Sequence, residues 1–116
     1  MSLHLTPDVL KHAYEYLCAT RPFSGWNMPD ADSIKFLVTN TKSYGGYCLT
    51  HSIGDHEIGI SRAYVGRTES LMVYMAHEMV HVYLDGWGVK SHHGAPFHKA
   101  AKRVCQHHGF DLKRFV

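Results

Sequence analysis

Residues 71–85 read LMVYMAHEMVHVYLD, and within them His77-Glu78-Met79-Val80-His81 is a complete H-E-x-x-H. On a helix, side chains four positions apart share a face, so the two imidazoles can reach one metal ion. Glu78, one position on from His77, stands beside that face. There it can touch a water at the metal without being a ligand itself. Two imidazoles around Zn²⁺ and a carboxylate that takes a proton from water make the geometry of metal-assisted peptide hydrolysis.

The stretch reads as a helix for reasons independent of the motif. Val73, Ala76, Val80 and Leu84 recur at intervals of three to four, the period of a buried stripe. No Gly or Pro interrupts it before Gly86-Trp87-Gly88, which supplies the stop, and Thr68 or Ser70 supplies an N-cap. Eleven histidines in 116 residues make a chance match easy, so the helical context carries as much weight as the motif.

The chain length predicts one domain, residues 1–116. A hydrophobic content of 45% is in the globular range, and no apolar run approaches the roughly 20 residues of a membrane span. The opening MSLHLTPDVLKHAYEY turns polar too early for a signal peptide, so a cytoplasmic location away from membranes is expected. Cys18, Cys48 and Cys105 are odd in number and form no C-x-x-C, so they read as buried free thiols. A net charge of +2 is too small to imply a nucleic-acid partner by itself.

Working outward, Thr6-Pro7-Asp8 predicts a helix start, with Leu10, Ala13, Tyr14 and Leu17 on its apolar face and an end near Thr20. Residues 21–33 are loop-like, with Trp26 as a packing anchor. Three strands are expected at Ile34–Asn40, Tyr44–His51 and His56–Ser61, in an antiparallel meander because the connections are short. The Gly45-Gly46 pair marks a bulge or a close backbone approach. A last helix runs from about Ala95 to His108, with Gly109 after its end and Phe110 closing the cap.

A catalytic zinc takes three protein ligands and keeps one position open. No Glu follows Glu78, which excludes a glutamate-completed site, and Leu84 and Trp87 stand where the metzincin pattern needs Gly and His. Asp85 is better placed as a partner for the His81 ring than as a ligand, and Asp111 has no supporting motif. The remaining candidates are His92, His93, His98, His107 and His108. His93 is favoured because Gly94 follows it at the entrance to the last helix, and His92 is its close competitor.

The H-E-x-x-H helix followed by His93-Gly94-Ala95-Pro96-Phe97 resembles the SprT-like family of zinc peptidases, which includes Spartan. In that family the histidine of an H-G-x-x-F-type segment completes the metal site, which implies His77, His81 and His93 as ligands of Zn²⁺ and Glu78 as the catalytic residue. The strands before the helix are also similar to that family. The implied fold is α+β: a minimal zincin-like domain in which a small antiparallel three-stranded sheet packs with about three helices, the metal site lying on the central H-E-x-x-H helix. The resemblance further implies a protein or peptide substrate, notably protein crosslinked to DNA. The cysteine-rich segments of the better understood members have no counterpart in this chain.

In this reading Glu78 accepts the proton of the attacking water and passes it to the leaving amine. Tyr44, Tyr47, Tyr64 and His92 are candidates to steady the oxyanion, and His56–Ser61 is a candidate edge strand for the substrate backbone. Lys99, Lys102, Arg103, Lys113 and Arg114 cluster on or after the last helix. They are either a solvated face or a grip on single-stranded DNA phosphates. The alternative function is a non-enzymatic nucleic-acid-binding module with a structural zinc; it requires a fourth ligand such as His92 or His98 and has no use for Glu78.

Overall fold

The computed structural model describes residues 4–52, 54–88 and 93–116. Helix α1 spans Pro7–Cys18, and the Thr6 hydroxyl caps it by accepting from the Val9 N–H at 3.2 Å. Its buried face is Leu10, Ala13, Tyr14 and Leu17, the stripe expected from the sequence. Each such fully buried aliphatic chain stabilises the fold by about 1.5–3 kcal/mol over leaving it exposed. Two short 3₁₀ turns, Phe23–Gly25 and Ala31–Ser33, lead into the sheet.

The strands are β1 (Ile34–Thr39), β2 (Gly46–Ser52) and β3 (Asp55–Ser61), and their spatial order is β1-β3-β2. β2 and β3 are antiparallel, with Tyr47 opposite Gly59 and an irregularity between Thr50 and Ser52. β1 is parallel to β3, with Phe36 opposite Ile58. The sheet is therefore mixed, and the expected meander is corrected: the last strand lies in the middle. Burial explains the order. Ile58, Gly59, Ile60 and Ser61 are buried in succession, as a central strand requires, whereas β2 ends in the exposed Thr50, His51 and Ser52.

The β1–β2 connection crosses the end of β3 and is tied to it. The Ser61 N–H donates to the Gly45 carbonyl at 2.8 Å, the Arg62 N–H to Thr39 at 2.9 Å, and the Ser61 hydroxyl to Thr41 at 2.5 Å. These bonds satisfy the buried Ser61 and hold Gly45 and Gly46 in place.

Helix α2 spans Thr68–Gly86, one turn longer at its start than the sequence suggested. Arg67 occupies the N-cap position, and Ser70 serves from inside the helix, its hydroxyl accepting from the Arg67 N–H at 3.3 Å. Met75, Ala76, Met79 and Val80 are fully buried. α2 packs against α1 and the sheet on one side and against α3 (Ala95–His108) on the other. Gly109, left-handed at φ 75°, ends α3 as expected. A fourth helix, α4 (Leu112–Phe115), follows and has no counterpart in the sequence-based expectation. Among the described residues no helix is long and apolar enough to cross a membrane.

Candidate metal centre

His77, Glu78 and His81 lie in the middle of α2, and His93 lies just before α3. One nitrogen from each of His77, His81 and His93 falls within 4.8 Å of the others. The Nε2 atoms of His81 and His93 are 3.2 Å apart. Nitrogens bound to one tetrahedral zinc at about 2.0–2.1 Å would stand roughly 3.3 Å from each other, so the spacing fits such an ion. Three imidazoles and, among the described residues, no carboxylate in the cluster also suit a metal that accepts nitrogen ligands.

Packing sets the rings at this spacing. Phe97 is fully buried, with its ring centroid 4.7 Å from His81, 4.6 Å from His93 and 5.0 Å from His77. The His77 Nδ1 lies 2.6 Å from the Phe115 carbonyl oxygen. A carbonyl can only accept, so Nδ1 carries the proton and Nε2 is left with its lone pair. Burial also lowers the His77 pKa, against the opposing pull of that hydrogen bond. The ring is thus held neutral, the form that binds a metal.

Glu78 is only 4% exposed, and burial pushes its carboxyl up to about 8. It reaches its position because β2 begins with glycine. A Cβ on Gly46 would lie 3.0 Å from Glu78 Oε2, and one on Gly45 only 2.0 Å from the Tyr74 ring. The close backbone approach expected of this pair is therefore made to the metal-bearing helix. His77, Glu78 and Tyr74 open onto a cleft of about 760 Å³, walled by Gly45 and Gly46 on one side and by Phe110, Arg114 and Phe115 on the other.

The other candidates lie elsewhere. His92 falls outside the described residues. His98 is exposed on α3 and outside the cluster, and His108 shares a 2.9 Å hydrogen bond with the Thr20 hydroxyl. Asp85 accepts from the Thr50 hydroxyl at 2.7 Å, and that same oxygen lies 2.9 Å from His56 Nδ1, so Asp85 pins α2 to the sheet. Asp111 caps α4, accepting from the Lys113 N–H. Tyr47 donates to Glu57 at 2.6 Å and Tyr64 to the Lys42 carbonyl, and neither these nor the exposed Tyr44 lines the cleft. Tyr74 does, although it is not among the tyrosines that the sequence suggested; its position four before Glu78, on the same helical face, was the available signal.

Comparison with known protein families matches residues 12–115 to the SprT-like family. The chain belongs to the SprT-like family. With the histidine cluster in place, this SprT-like chain is a metallopeptidase, and the non-enzymatic alternative falls away. Comparison with curated proteins gave no match. The SprT-like match runs from α1 to α4, so both the sheet and the C-terminal cleft wall lie inside it.

Proposed function

We propose that the chain, as a single SprT-like domain, is a Zn²⁺-dependent endopeptidase with His77, His81 and His93 as ligands and Glu78 as the general base. The observation that carries this reading is the three-imidazole cluster beside a buried carboxylate on the wall of an open cleft. When bound, zinc polarises the scissile carbonyl and makes the attacking water more acidic. Glu78 takes the water's proton on its carboxylate and delivers it to the leaving amine. Its burial suits a base working near neutral pH, and the cation would draw its pKa back down. Tyr74, on the same cleft, is our candidate for the hydrogen bond to the oxyanion. The substrate backbone runs along the outer edge of β2, which pairs with no further strand among the described residues and begins at the cleft with Gly46. The central strand β3 has no free edge for this role, which corrects the expectation that His56–Ser61 serves as the edge strand.

The test is direct. Glu78→Gln retains zinc and loses hydrolysis of an unstructured peptide by about 10²–10⁴-fold. His77→Ala, His81→Ala and His93→Ala lose zinc and thermal stability together. Hydrolysis by Glu78→Gln at the parental rate would remove Glu78 as the base.

A finer reading concerns the substrate. We propose that the domain acts on proteins held on single-stranded DNA. The supporting observation is a groove on the α2–α3 side. Trp26 stacks on Tyr83 at 4.0 Å, Trp87 is 73% exposed, and Lys99 and Arg103 line the same groove. Bases stack on such aromatics for about 1–3 kcal/mol each, and cations follow the phosphates. Lys102 and Lys113 are exposed nearby in sequence, and Arg114 lines the catalytic cleft. Trp87→Ala, and Lys99→Glu with Arg103→Glu, should each weaken DNA binding while leaving peptide cleavage unchanged. The charge changes should also flatten the salt dependence, by about one unit of slope for each phosphate no longer neutralised. No DNA binding by the unmutated protein at low salt would make these charges a solvated face.

A further inference from the structure

The metal-bearing helix does not orient His77 alone. Its Nδ1–H donates to a backbone carbonyl 38 positions later in the chain, that of Phe115, at 2.6 Å. This carbonyl belongs to the last turn of α4, where helical carbonyls have no partner within the helix and are free to accept. The short helix is built to hold it there. Asp111 caps the start, and the Phe115 N–H bonds back to the Asp111 carbonyl at 2.9 Å. The Phe115 side chain is 2% exposed, its ring 5.6 Å from His77 and 6.1 Å from Phe110. Phe110 in turn stacks on His108 at the end of α3, with centroids 5.3 Å apart.

We infer that residues 111–116 form a positioning element for the metal site, in which the buried Phe115 ring anchors a backbone carbonyl that fixes the tautomer and direction of the His77 imidazole. This rests on His77, His81 and His93 being the zinc ligands. Hydrogen bonds behind a ligating histidine typically change metal affinity by about 10–100-fold. Here the partner is a main-chain atom, so the identity of the side chain matters only as an anchor. Any residue that fills the Phe115 pocket should serve, and one that leaves it empty should not. The same segment walls the cleft, so docking of α4 couples the shape of the substrate site to the setting of its first ligand.

The experiment compares the full chain with Phe115→Ala and Phe115→Leu. Zinc affinity is measured by competition with a chromophoric chelator, and long-range ¹⁵N–¹H spectra report the protonation of each imidazole nitrogen. In the zinc-loaded parent, His77 should show a slowly exchanging Nδ1 proton and a metal-bound Nε2. Phe115→Ala should raise the zinc Kd by about 10–100-fold and speed exchange of that proton, with the protonation pattern of His81 and His93 unchanged. Phe115→Leu should stay within about threefold of the parent. A folded Phe115→Ala with parental affinity and parental His77 exchange would overturn the inference. If Phe115→Ala does not fold, the parent spectrum decides alone: His77 bound through Nδ1, or lacking a protected Nδ1 proton, overturns it. A parent that binds no zinc would bring down the ligand assignment itself, a different failure from binding that ignores Phe115.

Discussion

Gly46→Ala adds one methyl group where the sheet approaches the Glu78 carboxylate, and the structure sets its consequences. The new Cβ would lie 3.0 Å from Glu78 Oε2, 3.2 Å from the Gly59 carbonyl and 3.2 Å from Ile60 Cδ1. Ordinary contact begins near 3.4 Å, so the carboxylate oxygen must retreat by about 0.4 Å. The strand cannot easily retreat instead, because Gly46 is paired with Ile60 and Gly45 accepts from the Ser61 N–H. Glu78 itself is 4% exposed, so its carboxylate can yield only toward the cleft it lines.

A misplacement of 1 Å at a reacting centre costs about 10²-fold, so 0.4 Å should lower kcat/KM by roughly five- to tenfold. Stability should move little. Crowding costs about 1 kcal/mol at the low end of its range, and replacing a strand glycine recovers about 0.5–1 kcal/mol of backbone entropy. Zinc content should stay at the parental level, because the three atoms nearest the new methyl belong to Glu78, Gly59 and Ile60 and to none of the three imidazoles. The assay is kcat/KM on an unstructured fluorogenic peptide, with zinc content and the thermal midpoint measured on the same preparation. Parental kcat/KM at full zinc content would refute the reasoning, since Glu78 would then tolerate displacement and could not be the closely held base. Loss of zinc would refute it differently, by showing that the strand acts on the ligands.

Three further outcomes are expected. Gly59→Ala would place a Cβ 1.9 Å from the Tyr47 ring, so it should destabilise the fold by about 1–3 kcal/mol and lower the thermal midpoint by several degrees. In a Tyr47→Ala background the same change should be nearly neutral, and equal costs in both backgrounds would exclude the steric explanation. Burial raises the pKa of Cys18, Cys48 and Cys105, so the thiolate fraction at pH 8 is depressed; Ellman's reagent should label the folded protein far more slowly than the urea-unfolded chain. Tyr74→Phe should lower kcat about tenfold or more with KM little changed if its hydroxyl meets the oxyanion, whereas a purely packing role would leave kcat intact.

The three longer helices, α1, α2 and α3, were legible because their signals are local. Thr6 and Pro7 mark a start, Gly109 marks a stop, and the run from Leu71 to Asp85 holds no breaker. The order of the strands was not legible from connection lengths, since the short link from Thr39 to Gly46 can cross a neighbouring strand as well as turn back beside it. The composition of the strands held the better clue. Ile58-Gly59-Ile60 carries no charge and leaves space for the Tyr47 ring, while β2 ends in Thr50-His51-Ser52. A strand buried on both faces belongs in the centre, and weighing burial before loop length would have placed β3 there.

At the metal centre, legibility follows the kind of atom involved. Side chains leave a trace in the sequence: two histidines one helical turn apart, and a third before Gly94 with Phe97 beneath it. A backbone carbonyl leaves none, because every residue carries one. The support behind His77 therefore could not be read from residue types, and Phe115 looked like an ordinary apolar residue near the end of the chain. Its significance is topological. The turn at Gly109 brings α4 back against α2, so the last helix meets His77. A four-residue helix is too short to be stable by itself and holds only through its packing. The ring that keeps α4 docked is the same ring that keeps its terminal carbonyl aimed at Nδ1. Loosening that dock should weaken zinc binding before it disturbs α2, whose Met75, Ala76, Met79 and Val80 are fully buried and which packs more extensively against α1, β2 and α3 than against α4.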